Sequence, residues 1–371
     1  MLELKKFPTK NTAAANTSYD QEFSGRTFDG INFRFDGTIG ATGAGTDATY
    51  MAYRLLGTPE LNQAGEPLIR MAGVDWAYLS AYTNGAFPEY TDTVTSASAT
   101  IPQVASARIK LSRLVPGADV NANLVKAFFR GSSGAFTEAS DTVDAYDLNV
   151  RPLAEALEYN PPAGGFLRPR ISQRSVSVAA ADSNQQIILN IEQDLVFSGI
   201  MLSAYGGGEL TEVDGLIKNV RMEVTTPGRG TLEVTNSDWG NLRQYSCERA
   251  GLNSTDVANT AGTVVIPCTD RRAANLGGAL FVPAGSAFTI TIDSSGTAQQ
   301  PYTSVTPASG DNVRVTQLAF TPVAGAGDGA VQAPAGGAGR AGVPGRAATQ
   351  STLAPRNARR SRRGTRRARR R

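Results

Sequence analysis

The last sixteen residues of the chain carry the side chains with the clearest chemistry. Ten of the sixteen are arginines, and the segment contains no lysine, no acidic residue and no aromatic residue. Guanidinium groups stay ionised at any relevant pH and bind phosphate oxygens in bidentate pairs. Because aromatic side chains for base stacking are missing, we expect an electrostatic contact that is independent of base sequence. The predicted nucleic-acid-binding residues are Arg356, Arg359, Arg360, Arg362, Arg363, Arg366, Arg367, Arg369, Arg370 and Arg371.

The formal net charge of +3 hides a strong asymmetry along the chain. Residues 324–371 hold twelve Arg and one Asp, which leaves 24 basic and 32 acidic side chains in residues 1–323. The body is therefore acidic and the end is basic, which is typical of a partner-binding tail. Such a basic run can also act as a localisation signal or bind an anionic membrane surface; nucleic acid is the favoured partner.

Residues 324–355 separate the arginines from the body. They contain 10 Ala, 8 Gly and 3 Pro among 32 residues, with almost no large apolar side chain. Such a segment cannot repay its ordering entropy by burial, so we predict a disordered linker. As a flexible chain it would span roughly 30 Å.

The residues available for catalysis are few. The chain has no histidine, which excludes Ser-His-Asp and Cys-His catalysis and the imidazole ligands of many zinc sites. Asp and Glu are scattered through predicted turns without a repeat typical of a metal site. Cys247 and Cys268 are too few for a disulfide scaffold; reduced thiols are favoured over a single bridge or a redox role. We expect no enzyme, no cofactor and no metal.

The first ten residues lack the apolar stretch of a signal peptide, and no window reaches the length of an apolar transmembrane helix. We therefore expect the chain to be made and used in a reducing cytoplasm.

Residues 25–323 alternate between apolar and polar side chains in short runs. Clear examples are residues 31–35, 107–111, 175–178, 287–292 and 313–315. A period of two is typical of strands that are covered on one face. Gly, Asn, Asp, Pro and Thr separate the runs, and residues 226–230 form a predicted hairpin turn. The pattern predicts an all-β fold of sandwiches or barrels.

Two stretches have helical spacing instead, and both spell D-W-x-x-L-x-x-Y. They contain the two tryptophans of the chain. Trp, Leu and Tyr at spacings of three lie along one side of a short helix, and the Asp is placed where a carboxylate can cap its N-terminus. The motif residues are Asp75, Trp76, Leu79 and Tyr82 in the first copy and Asp238, Trp239, Leu242 and Tyr245 in the second.

The repeated motif predicts an internal duplication, because further matches follow it in the same order. The matched pairs are Thr91-Asp92 with Thr255-Asp256, Ile101-Pro102 with Ile266-Pro267, Val115-Pro116 with Val282-Pro283, Ser132-Ser133-Gly134 with Ser294-Ser295-Gly296, and Asp141-x-Val143-x-x-x-x-Leu148 with Asp311-x-Val313-x-x-x-x-Leu318. Their offsets run from 162 to 170 residues, as loop insertions would produce. The alternative to a duplication is that these matches are turn sequences common to many β proteins.

The fold class that follows is two tandem jelly-roll β-sandwich domains with a disordered arginine-rich tail. The predicted boundaries are an N-terminal arm at 1–24, a first jelly roll at 25–150, a linker at 151–170, a second jelly roll at 171–323, the flexible linker at 324–355 and the tail at 356–371. Within the 151–170 linker, residues 152–157 are predicted as a short helix.

Tandem β units that each carry one helix midway resemble the double jelly-roll major capsid proteins of tailless icosahedral phages, of the tectivirus and corticovirus type. Residues 215–224, followed by a hairpin and the Trp239 helix, are similar to the corresponding part of those proteins. The resemblance is architectural and covers about residues 25–323. It implies a homotrimer of six jelly rolls, forming a pseudo-hexagonal capsomer of a virion shell. Further virion proteins at vertices or minor positions, and an internal membrane, are partners that it suggests.

The arginine tail departs from that family, in which the shell commonly faces a membrane. Its arginines are expected to reach either viral nucleic acid or anionic lipid head groups. Coat proteins of small RNA viruses, with a β shell domain and an arginine arm, are the nearest rival within the same class.

Two hypotheses from other classes remain. A non-enzymatic nucleic-acid-binding or packaging protein with a β-sandwich platform predicts a basic surface beyond the tail, whereas this body is acidic. A carbohydrate-active or carbohydrate-binding sandwich predicts an exposed row of aromatic residues, whereas both tryptophans lie in the repeated helices.

Overall fold

The structure is a computed structural model of the 371-residue chain. It describes residues 3–4, 10–12, 18–23, 27–28, 30–41, 50–54, 57–63, 65–90, 98–114, 120–121, 125–130, 142–154, 166–178, 184–207, 211–269, 279–294 and 305–323. These residues all belong to one compact unit, residues 1–334. We call residues 3–154 the first half and residues 166–323 the second half.

Strands dominate both halves. The first half holds β1 (Glu3–Leu4), β2 (Lys10–Thr12), β3 (Ser18–Phe23), β4 (Thr27–Phe28), β5 (Gly30–Ala41), α1 (Met51–Arg54), β6 (Glu60–Gln63), β7 (Glu66–Arg70), α2 (Gly73–Asn84), β8 (Ser98–Lys110), α3 (Leu111–Leu114), β9 (Val120–Asn121), β10 (Val125–Arg130) and β11 (Thr142–Ala154). The second half holds β12 (Phe166–Ser177), β13 (Gln185–Asn190), β14 (Leu195–Gly206), β15 (Thr211–Glu212), β16 (Asn219–Thr226), β17 (Gly230–Asp238), α4 (Trp239–Ala250), α5 (Ser254–Asn259), β18 (Thr263–Pro267), β19 (Leu280–Val282), β20 (Ala287–Asp293) and β21 (Asn312–Val323).

The strands predicted from alternation are confirmed. The five alternating runs fall on β5, β8, β12, β20 and β21, and the predicted turn joins β16 to β17. In β20 the alternate residues Phe288, Ile290 and Ile292 are buried and belong to the apolar core of the second half. The alternation arises because one face of this strand packs on the core while the other faces outward.

The two halves repeat one strand order. In the second half one sheet runs β12-β21-β14-β18 and the other runs β13-β20-β16-β17. In the first half the matching sheets run β1-β11-β5-β8, with β2 also beside β11, and β3-β10-β6-β7. Each half thus has eight equivalent strand positions among the described residues, and helix α2 or α4 follows the fifth strand. The matched Ile101-Pro102 and Ile266-Pro267 lie in β8 and β18, which occupy the same place.

One sheet continues from the first half into the second. Strand β7 pairs in parallel with β12, with Ile69 opposite Ile171 and Arg70 opposite Ser172. Next to this pairing, the Glu66 carboxylate accepts a hydrogen bond from Arg170 at 2.8 Å. That guanidinium lowers the pKa of Glu66 below its usual value. The parallel pairing therefore joins the two halves through backbone hydrogen bonds.

The predicted helix at 152–157 is wrong for the part that the structure describes. Residues 152–154 belong to β11, where Pro152 lies opposite Ile31 and Leu153 opposite Gly30. Pairing with a neighbouring strand overrides the helical preference of Leu and Ala in this segment, since tertiary context outweighs intrinsic propensity. Residues 155–165 lie outside the described residues.

The domain boundaries stay predictions. Strands β1, β2 and β3 fall within the segment predicted as an N-terminal arm, and each pairs with a strand of the first half. The arginine-rich tail and the 324–355 linker lie outside the described residues.

Gly262 has a backbone conformation and surroundings that predict a strong effect of substitution. Its φ is +67°, and an added Cβ would lie 2.7 Å from the Val213 nitrogen and 2.8 Å from the Ala204 oxygen. We expect Gly262→Ala to lower the free energy of unfolding by about 2–5 kcal/mol, because left-handed strain and displacement of backbone add together. Chemical denaturation at fixed protein concentration, followed by circular dichroism, measures the loss.

Gly228→Ala is the matched control, because Gly228 has a φ of +72° with open space around it. Only the strain applies there, so we expect a loss of about 1–2 kcal/mol. Equal losses for the two variants would contradict the close approach at Gly262.

Candidate functional site at the junction of the two halves

The two halves meet where α1, α2 and residues 85–90 contact β12, β14, β15, β21, α4 and α5, and we call this contact the junction. Helix α2 lies at its centre. All residues from Gly73 to Ala81 are buried, so the helix has no solvent face over its first nine residues. The Ala72 N–H donates to the Gln173 side chain of β12, which supplies an acceptor at the start of the helix. The helix ends at Gly85, whose left-handed conformation directs its N–H to Ala81.

Asp75 of α2 is fully buried against the second half. One carboxylate oxygen accepts hydrogen bonds from Ser203 Oγ at 2.7 Å and from the Tyr205 hydroxyl at 3.2 Å. The other accepts from Gln173 Nε2 at 2.7 Å and from Arg314 Nη1 at 2.9 Å. These donors come from β14, β12 and β21. We call these five residues the Asp75 cluster.

The electrostatics of the Asp75 cluster favour a closed structural contact. The Arg314 guanidinium lies 4.3 Å from the centre of the Tyr205 ring, as in a cation–π contact. Burial raises the pKa of Tyr205 well above its usual value, and the Asp75 carboxylate raises it further, so the hydroxyl stays a donor. The carboxylate therefore has an ion-pair partner and three neutral donors. This saturation suits a fixed structural contact.

A second polar cluster surrounds Arg243 of α4. Its Nη1 donates to the Tyr82 hydroxyl and to Thr260 Oγ1, both at 3.0 Å, and to Cys247 Sγ at 2.9 Å. Its Nε lies 3.3 Å from Asp214 Oδ1. Tyr82 belongs to α2, so this arginine links the helices of the two halves. Burial raises the pKa of Tyr82, against the opposing effect of Arg243, which keeps the phenol protonated.

Further polar contacts cross the junction on either side of these clusters. Arg54 of α1 pairs with Glu212 of β15 at 2.9 Å, and both side chains are nearly inaccessible to solvent. The Phe87 N–H donates to the Asp256 carboxylate of α5 at 3.0 Å. Polar and charged groups from both halves thus pair with one another where the contact is buried.

The Trp and Leu positions of the repeated motif are buried in both copies. Trp76 and Leu79 of α2 are buried, and so are Trp239 and Leu242 of α4. The Trp239 indole N–H donates to Asp214 Oδ1 at 3.0 Å. These four side chains hold each helix against its own half and the junction.

The Asp and Tyr positions differ between the copies. Asp238 is the N-cap of α4, and its carboxylate accepts from the Asn241 N–H at 2.8 Å, which confirms the predicted capping. The same prediction is wrong for Asp75, because α2 begins two residues before it and the side chain turns to Arg314 instead. Tyr82 donates across the junction to a backbone oxygen, whereas Tyr245 is 50% exposed.

The remaining candidates do not form a reactive site among the described residues. Cys247 and Cys268 are free thiols and buried. Burial raises the pKa of both, to about 12 for Cys268, so they are poor nucleophiles near neutral pH. Within the described ranges no group of three or more Cys, Asp or Glu could hold a metal ion, and no described helix is long and apolar enough to cross a membrane. The ten tail arginines lie outside the described residues.

Similar solved structures come from viral capsids. The STIV major capsid protein has a TM-score of 0.61 at 11% identity, covering 87% of this chain and 97% of its own. A chain in the atomic structure of Sulfolobus turreted icosahedral virus gives 0.59 at 13% identity, covering 86% and 91%. The PBCV-1 virus capsid gives 0.51 at 11% identity, covering 85% and 92%. At these identities the likeness is one of fold, and it agrees with the eight strand positions repeated in both halves. The fold is a double jelly roll.

Neither protein-family models nor curated proteins give a match to the sequence. The double jelly roll explains why α2 and α4 occupy equivalent places, since each follows the fifth strand of its jelly roll. It also places the Asp75 cluster at the contact between the two jelly rolls of one chain.

The sequence pattern did not indicate Arg314, Arg243 or the Arg54–Glu212 pair. Arg314 occupies the polar position of an alternating run, so the pattern placed it on an outward face. One signal was available: Asp75 stands in an otherwise apolar and aromatic helical stretch, where a buried charge requires a cationic partner. The identity of that partner depends on how the halves pack.

Asp75→Ala should destabilise the chain strongly, because it leaves the Arg314 charge buried without its partner. We expect the free energy of unfolding to fall by about 3–5 kcal/mol. Adding Arg314→Met to Asp75→Ala should recover part of the loss, since it removes the uncompensated charge. Denaturant unfolding of both variants at one protein concentration measures these changes.

Asp238→Ala is the matched control from the second copy of the motif. Loss of an N-cap costs about 1 kcal/mol, so this variant should lie well above Asp75→Ala in stability. If the two aspartates gave equal losses, the buried ion pair would not be a principal stabilising contact of the junction.

Proposed function

We propose that this chain is the major capsid protein of an icosahedral virus, located in the virion shell. The observation that carries the proposal is the extent of the structural similarity to a viral major capsid protein. Both jelly rolls align with the STIV major capsid protein over 87% of this chain and 97% of that one. A match of this extent includes the junction as well as the two sandwiches.

We further propose that the subunit assembles as a homotrimer. Two jelly rolls in one chain supply six in a trimer, which gives a capsomer of nearly hexagonal outline. The junction supports this arrangement, because its buried contacts join the two jelly rolls of each chain within one compact unit. Higher assembly would then bring trimers together in the host cytoplasm, along with further virion proteins at other positions.

The arginine tail supplies the contact with the interior of the particle in this proposal. Its ten arginines neutralise phosphate groups of packaged nucleic acid or of an anionic membrane, without a fixed register. The acidic body, with 24 basic and 32 acidic side chains, would repel the same phosphates. Contact with the genome therefore depends on the tail.

The role is structural and requires no cofactor. Support comes from the buried carboxylate of Asp75, which is saturated by Arg314 and three neutral donors, and from the two buried neutral thiols. A packaging protein that binds nucleic acid as a monomer is the alternative that the following experiment separates.

The first experiment measures the molar mass of the purified chain by light scattering, with and without residues 324–371. We expect a trimer in both forms, because the contacts between jelly rolls lie in the body. Nucleic acid should co-purify with the full-length chain only. A monomer in both forms would contradict the capsid proposal and favour the packaging alternative, and unfolding on deletion would contradict the independence of the tail.

Variants with all ten tail arginines replaced by lysine or by glutamine are the controls. The lysine form keeps the charge and should retain nucleic acid, whereas the glutamine form should lose it. If all ten charges meet phosphates, the slope of log K against log salt should be about −7 to −9. Binding to anionic vesicles with no binding to nucleic acid would assign the tail to a membrane instead.

A further inference from the structure

The contact that joins the two jelly rolls covers one specific edge of the first. Strand β7 is the edge strand that the first jelly roll contributes to the shared sheet, and β12 of the second jelly roll pairs with it in parallel. Ile69 of β7 is only 1% exposed at this contact. Helix α2, which follows β7, is buried in the same junction.

The equivalent edge of the second jelly roll is exposed. Strand β17 corresponds to β7, and among the described residues it pairs with β16 alone. The motif offset of 163 residues aligns Leu232 with Ile69, since each lies seven residues before the motif tryptophan. Leu232 is 52% exposed. Tyr245, aligned with the junction residue Tyr82, is 50% exposed as well.

The equivalent of β12 is also uncovered in the described part of the chain. Strands β1 and β2 correspond to β12, and the described pairing of both is with β11. Lys10 lies opposite Leu148 and Ile171 lies opposite Leu318, and these two leucines match at the 170-residue offset. Lys10 of β2 is therefore the positional equivalent of Ile171.

We propose that β17 of one copy lies in parallel beside β2 of a second copy, and so repeats the β7–β12 pairing between chains. Leu232 then stands opposite Lys10 as Ile69 stands opposite Ile171, and Glu233 stands opposite Asn11 as Arg70 stands opposite Ser172. The inference rests on the proposed function, since it names the surface through which the trimer forms.

The duplication and symmetry favour this occupant over a self-paired edge. Strands β17 and β2 are the equivalents of β7 and β12, the two strands that pair in parallel within the chain. The contact is head to tail, because one copy offers β17 and the next offers β2. Such contacts close into a ring when the rotation between successive copies permits. An exposed strand edge that bears a large apolar side chain is otherwise an aggregation hazard.

Leu232→Lys tests the edge without touching the core, because the side chain is half exposed in the single chain. We expect association to weaken at least about tenfold, since a second ammonium group would be buried directly opposite that of Lys10. The matched control is Ile188→Lys on β13, at the opposite edge of the same sheet and 50% exposed. It should keep the mass of the parent chain.

Light scattering over a concentration series measures association, and circular dichroism checks the fold of each variant. A folded Leu232→Lys that keeps the parent mass would overturn the proposed edge and leave the capsid function standing. Equal loss of association in both variants would also overturn it. A parent chain that is monomeric throughout would instead overturn the proposed function, and the edge with it.

Disulfide trapping tests which strand lies beside β17. Two differently tagged chains, one with Lys10→Cys and one with Leu232→Cys, are co-expressed and oxidised. Adjacent strands bring Cα atoms within the span that a disulfide requires, so we expect a linked pair that contains both tags. The native thiols are buried and should not interfere. A disulfide between two Leu232→Cys chains would show that the edge pairs with itself. Oligomers that contain both tags but no disulfide would exclude the proposed register. Either result overturns the proposal.

Discussion

A carboxylate buried between two jelly rolls is the constraint on which the rest of this structure depends. Such a charge is tolerated only when a cation and further donors satisfy it. Asp75 obtains them from three strands of the other jelly roll, so α2 cannot shift without uncovering a charge. Because α2 follows β7, the same constraint holds the parallel β7–β12 pairing in register. The two jelly rolls therefore form one compact unit.

The sequence predicted the features that depend on local pattern. Alternation along β20 is visible because one face packs on a core of its own jelly roll, and the turn between β16 and β17 follows from Pro and Gly at 226–230. The repeated D-W-x-x-L-x-x-Y motif located both helices and the duplication. It succeeded because Trp and Leu are buried in both copies, by packing that the duplication preserved.

The rest depends on contacts between distant segments, which local pattern does not encode. Arg314 alternates with Val313 and Val315 as an outward residue would, yet its face of β21 is covered by α2. Strand order, the place of β1 to β3, and residues 152–154 in β11 likewise follow from pairing partners far along the chain. Asp75 and Asp238 occupy the same motif position, and only the second caps its helix, because α2 starts earlier.

The duplication also explains why the contact within a chain differs from the one proposed between chains. The 170-residue offset that aligns Leu148 with Leu318 aligns Asp144 with Arg314, so the first jelly roll has an acidic residue where the second has the cation. Asp238 is already engaged as an N-cap. A repeat of the junction between copies would therefore lack the buried ion pair and rely on strand pairing, with Lys10 in the place of Ile171. Without a buried ion pair such a contact would form and separate more easily, which in the proposed shell would let misplaced subunits be corrected.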